Sequence, residues 1–171
     1  MTTLGAIGLT ASALYFFPHG RFFGGTMWVT AFVFSDVFDG TMARLSETGG
    51  SAWGAILDST LDRIGDAAVL GGMALYFIRI HDRLAWLLVF SLVASFLISY
   101  IKARAEAVGL SCEGGLMERT ERLVLILVAA GISGLGVPYL FAIATWVLAI
   151  GSAITCIQRS LTVYHASNSS S

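Results

Sequence analysis

A chain of 171 residues that is 56% hydrophobic and 12% charged is too apolar for a water-soluble globule, and its mean hydropathy of +0.79 points to one helical membrane domain. The net charge of −1 and the lack of a basic tail give no reason to expect a nucleic-acid partner. Cys112 and Cys156 are far apart in sequence, and thiols of a cytoplasm-facing protein are expected to stay reduced.

Six apolar segments follow one another. The first, residues 2–17, ends at Pro18-His19-Gly20. At 1.5 Å per residue it spans about 24 Å, less than a hydrocarbon core of about 30 Å. The second, residues 22–38, delivers Asp36 and Asp39 at its end, and residues 45–50 form a polar, glycine-ended loop. The third, residues 51–78, carries Asp58, Asp62 and Asp66 in its first turns. A spacing of four makes these acids drift slowly around one helix face. Residues 79–83 form a loop, and the fourth segment covers 84–101. The longest polar stretch, 102–121, is broken by Gly114-Gly115. The fifth segment covers 123–135 and the sixth 139–157, and the serine-rich residues 166–171 are expected to be disordered.

Lys and Arg orient the segments. The side holding the paired acids collects Arg44, Arg63, Lys102, Arg104, Arg119, Arg122 and Arg159, and the other side has Arg21, Arg79 and Arg83. That imbalance places the acids and both chain ends in the cytoplasm. The alternation needs an even number of spans. The expected fold is therefore all-α, a polytopic bundle of six transmembrane helices in the cell membrane.

Four carboxylates, Asp36, Asp39, Asp58 and Asp62, fall close together in this apolar chain. A carboxylate at the mouth of a membrane helix costs about 2–3 kcal/mol unless compensated. Arg44 and Arg63 are the only cations in the stretch, so a divalent cation, or a pair, is the expected partner. Hard oxygen ligands select Mg²⁺, with Mn²⁺ as the alternative. Asp36 and Asp39 are three apart and Asp58 and Asp62 four apart, so on helices each pair shares a face. Gly40 and Gly54 leave room beside them. The bland alternative is a set of solvated loop and helix-end acids, against which stands the rule that acids within a membrane mark function.

The pattern Asp-x2-Asp-Gly-x2-Ala-Arg-x9-Gly-x3-Asp-x3-Asp is filled here by Asp36, Asp39, Gly40, Ala43, Arg44, Gly54, Asp58 and Asp62. It resembles the signature of the CDP-alcohol phosphotransferases. The resemblance implies a Mg²⁺-dependent membrane enzyme that joins a CDP-linked lipid to an alcohol and releases CMP. Such enzymes usually carry an amphipathic surface helix and a polar turn ahead of the first span. That piece is expected to be missing here.

Ser99, Lys102, Arg122 and Arg159 come from three segment ends on the same side. Position alone leaves two readings equal: a pocket for an anion, or flanking charge that reaches for lipid headgroups. Residues 99–106, 114–123 and Gln158-Arg159, with Phe17-Pro18-x-Gly20, resemble one branch of the family, the phosphatidylinositol-phosphate synthases of actinobacteria. The branch implies that Ser99, Lys102, Arg122 and Arg159 bind the phosphate of inositol phosphate. Arg104 and Arg119 have a structural alternative, pairing with Glu106 and Glu118.

The same resemblance implies the remaining roles. Asp36, Asp39 and Asp58 would hold one or two Mg²⁺ under the pyrophosphate of CDP-diacylglycerol. Asp62 would touch the second ion and act as general base. Gly40, Ala43 and Arg44, with Ser51 nearby, would line the CDP end, and a homodimer is the family expectation. Two competing functions stand beside this one: a sibling phosphatidylglycerophosphate synthase using glycerol 3-phosphate, and a non-enzymatic ion-binding membrane protein. The second leaves Gly40, Ala43, Arg44 and Gly54 unexplained.

Overall fold

The computed structural model describes residues 3–45, 51–112, 114–137 and 139–169, with side chains described for all of these except 36–45 and 169. Six α-helices make up the described chain: α1 (Thr3–Phe16), α2 (Phe22–Leu45), α3 (Ala52–Arg79), α4 (Leu84–Ala107), α5 (Arg119–Gly134) and α6 (Leu140–Ser169). No strand occurs among the described residues.

Each boundary has a local cause. A single 3₁₀ turn, Phe17–His19, follows α1 and closes on Gly20, whose φ of 71° is a left-handed conformation open to glycine. The Ser51 hydroxyl accepts from Gly54 N at 3.0 Å and caps α3. Helix α4 runs six residues past the expected end at 101. Its last turns are helix-forming Ala, Lys, Arg and Glu, and Lys102 Nζ lies 3.8 Å from Glu106 Oε1 one turn on. Helix α5 starts four residues earlier than expected, because Glu118 and Glu121 form a capping box there. Helix α6 continues through His165 to Ser169, so residues 166–169 are not the disordered end read from their composition. The hydroxyls of Ser160, Thr162 and Ser167 turn back onto carbonyls three or four residues earlier, which satisfies them inside the helix.

The helices pack in a closed ring: α1 against α2, α2 against α5, α5 against α6, α6 against α4, α4 against α3, and α3 against α1. Leu9, Phe17, Val29, Met73, Leu88, Ile126 and Leu148 fill its centre. Small residues let the backbones approach. At Gly72 an added Cβ would stand 3.0 Å from the carbonyl of Ala13. Outward faces carry the bulky apolar side chains, among them Trp28, Trp86, Phe90, Val128, Trp146 and Ile150, all exposed. An outer surface of large apolar side chains suits lipid rather than water.

The expectation of six transmembrane helices meets a more graded result. Among the described residues, α4 and α6 are the two helices long and apolar enough to cross a membrane on length and composition alone. Helix α3 is long but carries Asp58, Asp62 and Arg63 in its first half and Asp66 just past its midpoint, and α1 and α5 are 14 and 16 residues. Both cysteines are free.

Candidate active site

The start of α3, the end of α4, the start of α5 and the later turns of α6 meet at one end of the ring. Contacts between named side chains define this end. Asp58, Asp62 and Asp66 descend one face of α3, with Asp58 and Asp62 half-buried and Asp66 at 5% exposure. Ser91, Ser95 and Ser99 repeat every four residues along α4. Arg119 and Arg122 leave the first turn of α5, and Arg159 leaves α6.

Arg119 grips α3 with all of its guanidinium. Its Nη1 is 3.0 Å from Asp62 Oδ1, its Nη2 donates to the Asp62 carbonyl at 3.3 Å, and its Nε donates to Asp66 Oδ1 at 3.1 Å. The Ser95 hydroxyl donates to Asp66 Oδ2 at 3.3 Å and accepts from Arg122 Nη2 at 3.1 Å. Arg63 approaches Asp66 Oδ2 at 3.7 Å and donates to the Ser99 hydroxyl, while its buried Nε has no hydrogen-bond partner. Arg122 also donates to Met117 O at 2.8 Å. Arg159 donates to Ile98 O at 3.1 Å and to Gly114 O at 3.0 Å.

The chain from 114 to 117 lies on α6. Leu116 N donates to Gln158 Oε1 at 2.8 Å and Met117 N to Thr155 Oγ1 at 3.0 Å. Gly115 has φ of 137°, and a Cβ there would come within 2.6 Å of Thr155. Between this stretch and α6 opens a pocket of about 430 Å³, lined by Gly114, Gly115, Leu116, Gln158, Arg159 and Thr162. It is wide enough for a small polar molecule, with a guanidinium in its wall.

These contacts sort the residues picked out from the sequence. Ser99, Arg122 and Arg159 do converge, around residues 95–99 of α4. Arg122 and Arg159 are 6% and 8% exposed, so neither reaches outward to lipid headgroups as flanking charge would. Lys102 differs: its side chain is 44% exposed and its partner is Glu106. Asp58 and Asp62 share a face as expected. Asp36, Asp39, Gly40, Ala43 and Arg44 lie on α2, but their side chains are outside those described. Among the described residues no three acids, histidines or cysteines group closely enough to hold a metal ion. The hydroxyl of Ser51 is engaged as the cap of α3.

The two alternative ion pairs are corrected. Arg119 pairs with Asp62 and Asp66 rather than Glu118, because Glu118 is held in the capping box of α5. Glu106 pairs with Lys102, its i−4 neighbour, not with Arg104. Arg63, Asp66 and Ser95 have no site role in the sequence analysis. The available signal was the four-residue repeat itself, Ser91-Ser95-Ser99 on α4 and Asp58-Asp62-Asp66 on α3, which meet at Ser95 and Asp66.

Residues 1–157 match the family model described as CDP-alcohol phosphatidyltransferase. The chain belongs to the CDP-alcohol phosphatidyltransferase family. Similar proteins narrow the branch. The phosphatidylinositol phosphate synthase of Streptomyces avermitilis is 49% identical, over 95% of this chain and 70% of that protein. The enzyme of the same name from Mycobacterium tuberculosis H37Rv is 45% identical, over 96% of this chain and 77% of that protein. A crystal structure of the Mycobacterium tuberculosis enzyme with CDP-DAG bound superposes with a TM-score of 0.88 at 44% identity, covering 94% of this chain and 83% of that one. A second, in complex with manganese and citrate, gives 0.87 at 45% identity, covering 94% and 79%. Fold, family and apolar surface together make this transferase a helical membrane protein.

Proposed function

We propose that this chain is a phosphatidylinositol phosphate synthase, which transfers the phosphatidyl group of CDP-diacylglycerol to inositol phosphate and releases CMP. The observation that carries the reading is the withdrawal of Arg122 and Arg159 from the surface, beside the acid-bearing end of α3. Guanidiniums held this way suit a phosphate on the acceptor, and free inositol offers none. The names of the similar proteins support the same acceptor.

Asp58 and Asp62 are one turn apart on α3 and offer only oxygen donors, which fits a hard divalent cation. With Asp36 and Asp39 they would hold Mg²⁺ or Mn²⁺. A bound ion would offset charge on the phosphoryl oxygens and on departing CMP. An inositol hydroxyl oxygen forms the new bond to the phosphatidyl phosphorus as the bond from that phosphorus to the CMP oxygen breaks. Asp62 takes the hydroxyl proton as general base. Ser99, Arg122 and Arg159 hold the acceptor phosphate, the unpartnered Nε of Arg63 supplies a further donor nearby, and Lys102 adds charge at the entrance. Gly40, Ala43, Arg44 and Ser51 border the CDP end. The ring of helices sits in the cell membrane as six spans, with this end and both termini cytoplasmic, and works as a homodimer.

One assay tests the reading: CMP release from CDP-diacylglycerol with inositol phosphate, free inositol, glycerol 3-phosphate and serine compared side by side. Inositol phosphate should be preferred, and EDTA should abolish release. Faster turnover with glycerol 3-phosphate would favour the sibling enzyme, and no CMP release with any acceptor would leave the ion-binding reading. A cysteine placed among residues 46–50 should react with thiol reagents from the cytoplasm, and one at His81 from outside.

A further inference from the structure

Asp66 belongs neither to the family signature nor to the acceptor residues, yet its carboxylate has partners on three helices: Arg63 on α3, Ser95 on α4 and Arg119 on α5. We propose that Asp66 is a positioning residue of the transfer reaction, fixing Asp62 through Arg119 and Arg122 through Ser95, so that base and acceptor-phosphate guanidinium keep one spacing. The inference rests on the function proposed above.

The hydrogen-bond chemistry fixes the direction of each link. An ionised carboxylate can only accept and a guanidinium can only donate. The single proton of the Ser95 hydroxyl therefore goes to Asp66, and its oxygen receives Arg122. Replacing Ser95 by Ala removes both connections at once. Arg119 places Nε on Asp66 and both terminal nitrogens on Asp62, so its guanidinium is anchored to α3. Arg119 and Arg122 leave the same capped turn of α5, three residues apart. The links run Asp62, Arg119, Asp66, Ser95, Arg122 without a gap.

Two further observations favour positioning over contact. Asp66 is buried, and a buried carboxylate is tolerated only when its partners are in place. The cavity beside it, bordered by Ser95, Arg119, Arg122 and Leu148, is about 10 Å³. That is the lower limit for a single water, so no substrate group reaches Asp66.

The test compares Ser95→Ala, Asp66→Asn and Ser91→Ala in the full chain, by steady-state CMP release with both substrates varied. Ser91 is the control: it is buried one turn before Ser95, but its hydroxyl bonds only within α4, to Leu87 O at 2.7 Å. Ser95→Ala should raise the KM for inositol phosphate about tenfold, at the low end for losing a hydrogen bond to a charged group. Its kcat and its KM for CDP-diacylglycerol should stay within about twofold of wild type. Asp66→Asn should raise the acceptor KM and also lower kcat, because Arg119 loses the charge that helps hold it beside Asp62 and one of the two acceptor oxygens shared with Ser95 is gone. Ser91→Ala should behave as wild type. Ser95→Ala with the wild-type acceptor KM, or with both KM values raised together, overturns the inference. If Asp66→Asn does not fold, Ser95→Ala decides alone, since alanine suits that helix position. Wild type that releases no CMP with inositol phosphate overturns the proposed function, and the inference with it.

Discussion

The two ends of the helix ring handle polar and bulky groups in opposite ways. At the end away from the acids, Phe17, Phe22, Tyr76, Phe77 and Phe141 interlock, with Phe77 and Phe141 stacked at 5.2 Å and Phe22 edge-on to Tyr76 at 5.0 Å. Charge there stays outside: Arg79 donates to the carbonyl of Pro18 at 3.2 Å, and Asp82 Oδ1 accepts from Leu84 N at the start of α4. At the other end Asp66, Arg122 and Arg159 are inside, among Ser, Thr and Gly. Aromatic pairs at such spacings contribute about 0.5–1.5 kcal/mol each beyond their buried area, and losing one is a graded loss. A buried charge that loses its partner is left uncompensated, which costs about 3–5 kcal/mol. The aromatic end therefore supports the fold, and the charged end, where the chemistry is proposed to lie, carries a standing cost in stability.

That contrast can be broken from either end. The largest effect on turnover should come from Asp62→Asn, which keeps size and removes the proposed base. A loss of about 10²–10⁴ in kcat is expected, with CDP-diacylglycerol still bound. Near-normal turnover in that variant removes Asp62 from the mechanism. Phe77→Ala at the aromatic end should cost roughly 3 kcal/mol of stability, read as a lower unfolding midpoint in detergent, and leave both KM values unchanged. A shifted acceptor KM would mean that the two ends are coupled.

Arg122→Gln or Arg159→Gln should raise the KM for inositol phosphate by about 10- to 150-fold and leave that for CDP-diacylglycerol near wild type. Equal change in both would make these arginines structural. The smallest effect belongs to Lys102→Ala. An exposed pair contributes at most about 1 kcal/mol, so the acceptor KM should move by no more than about fivefold. A change as large as that of Arg122→Gln would place Lys102 inside the phosphate site.

Helix number and order were legible because apolar runs and glycine or proline breaks are local signals. The ends were less so. Helices α4 and α5 outran their apolar runs at Lys102–Glu106 and Glu118–Glu121, where i,i+4 pairing and a capping box extend helix through polar sequence. For Arg119 the sequence offers its neighbour Glu118 as an alternative partner, since sequence distance favours close pairs. In the fold it crosses to Asp62 and Asp66, 57 and 53 residues away.

The sequence by itself determined the class of membrane protein, the paired acids of the signature and the candidate anion-binding residues, because composition and short spacings are written along one strand of chain. Only the tertiary structure decided which cations are withdrawn from the surface and which carboxylate answers each of them. Burial and pairing depend on four helix ends meeting in space, and no periodicity within one helix encodes that meeting. Arg122 and Lys102 look alike as cations at segment ends. One is enclosed against Ser95 and Met117, and the other is half exposed beside Glu106.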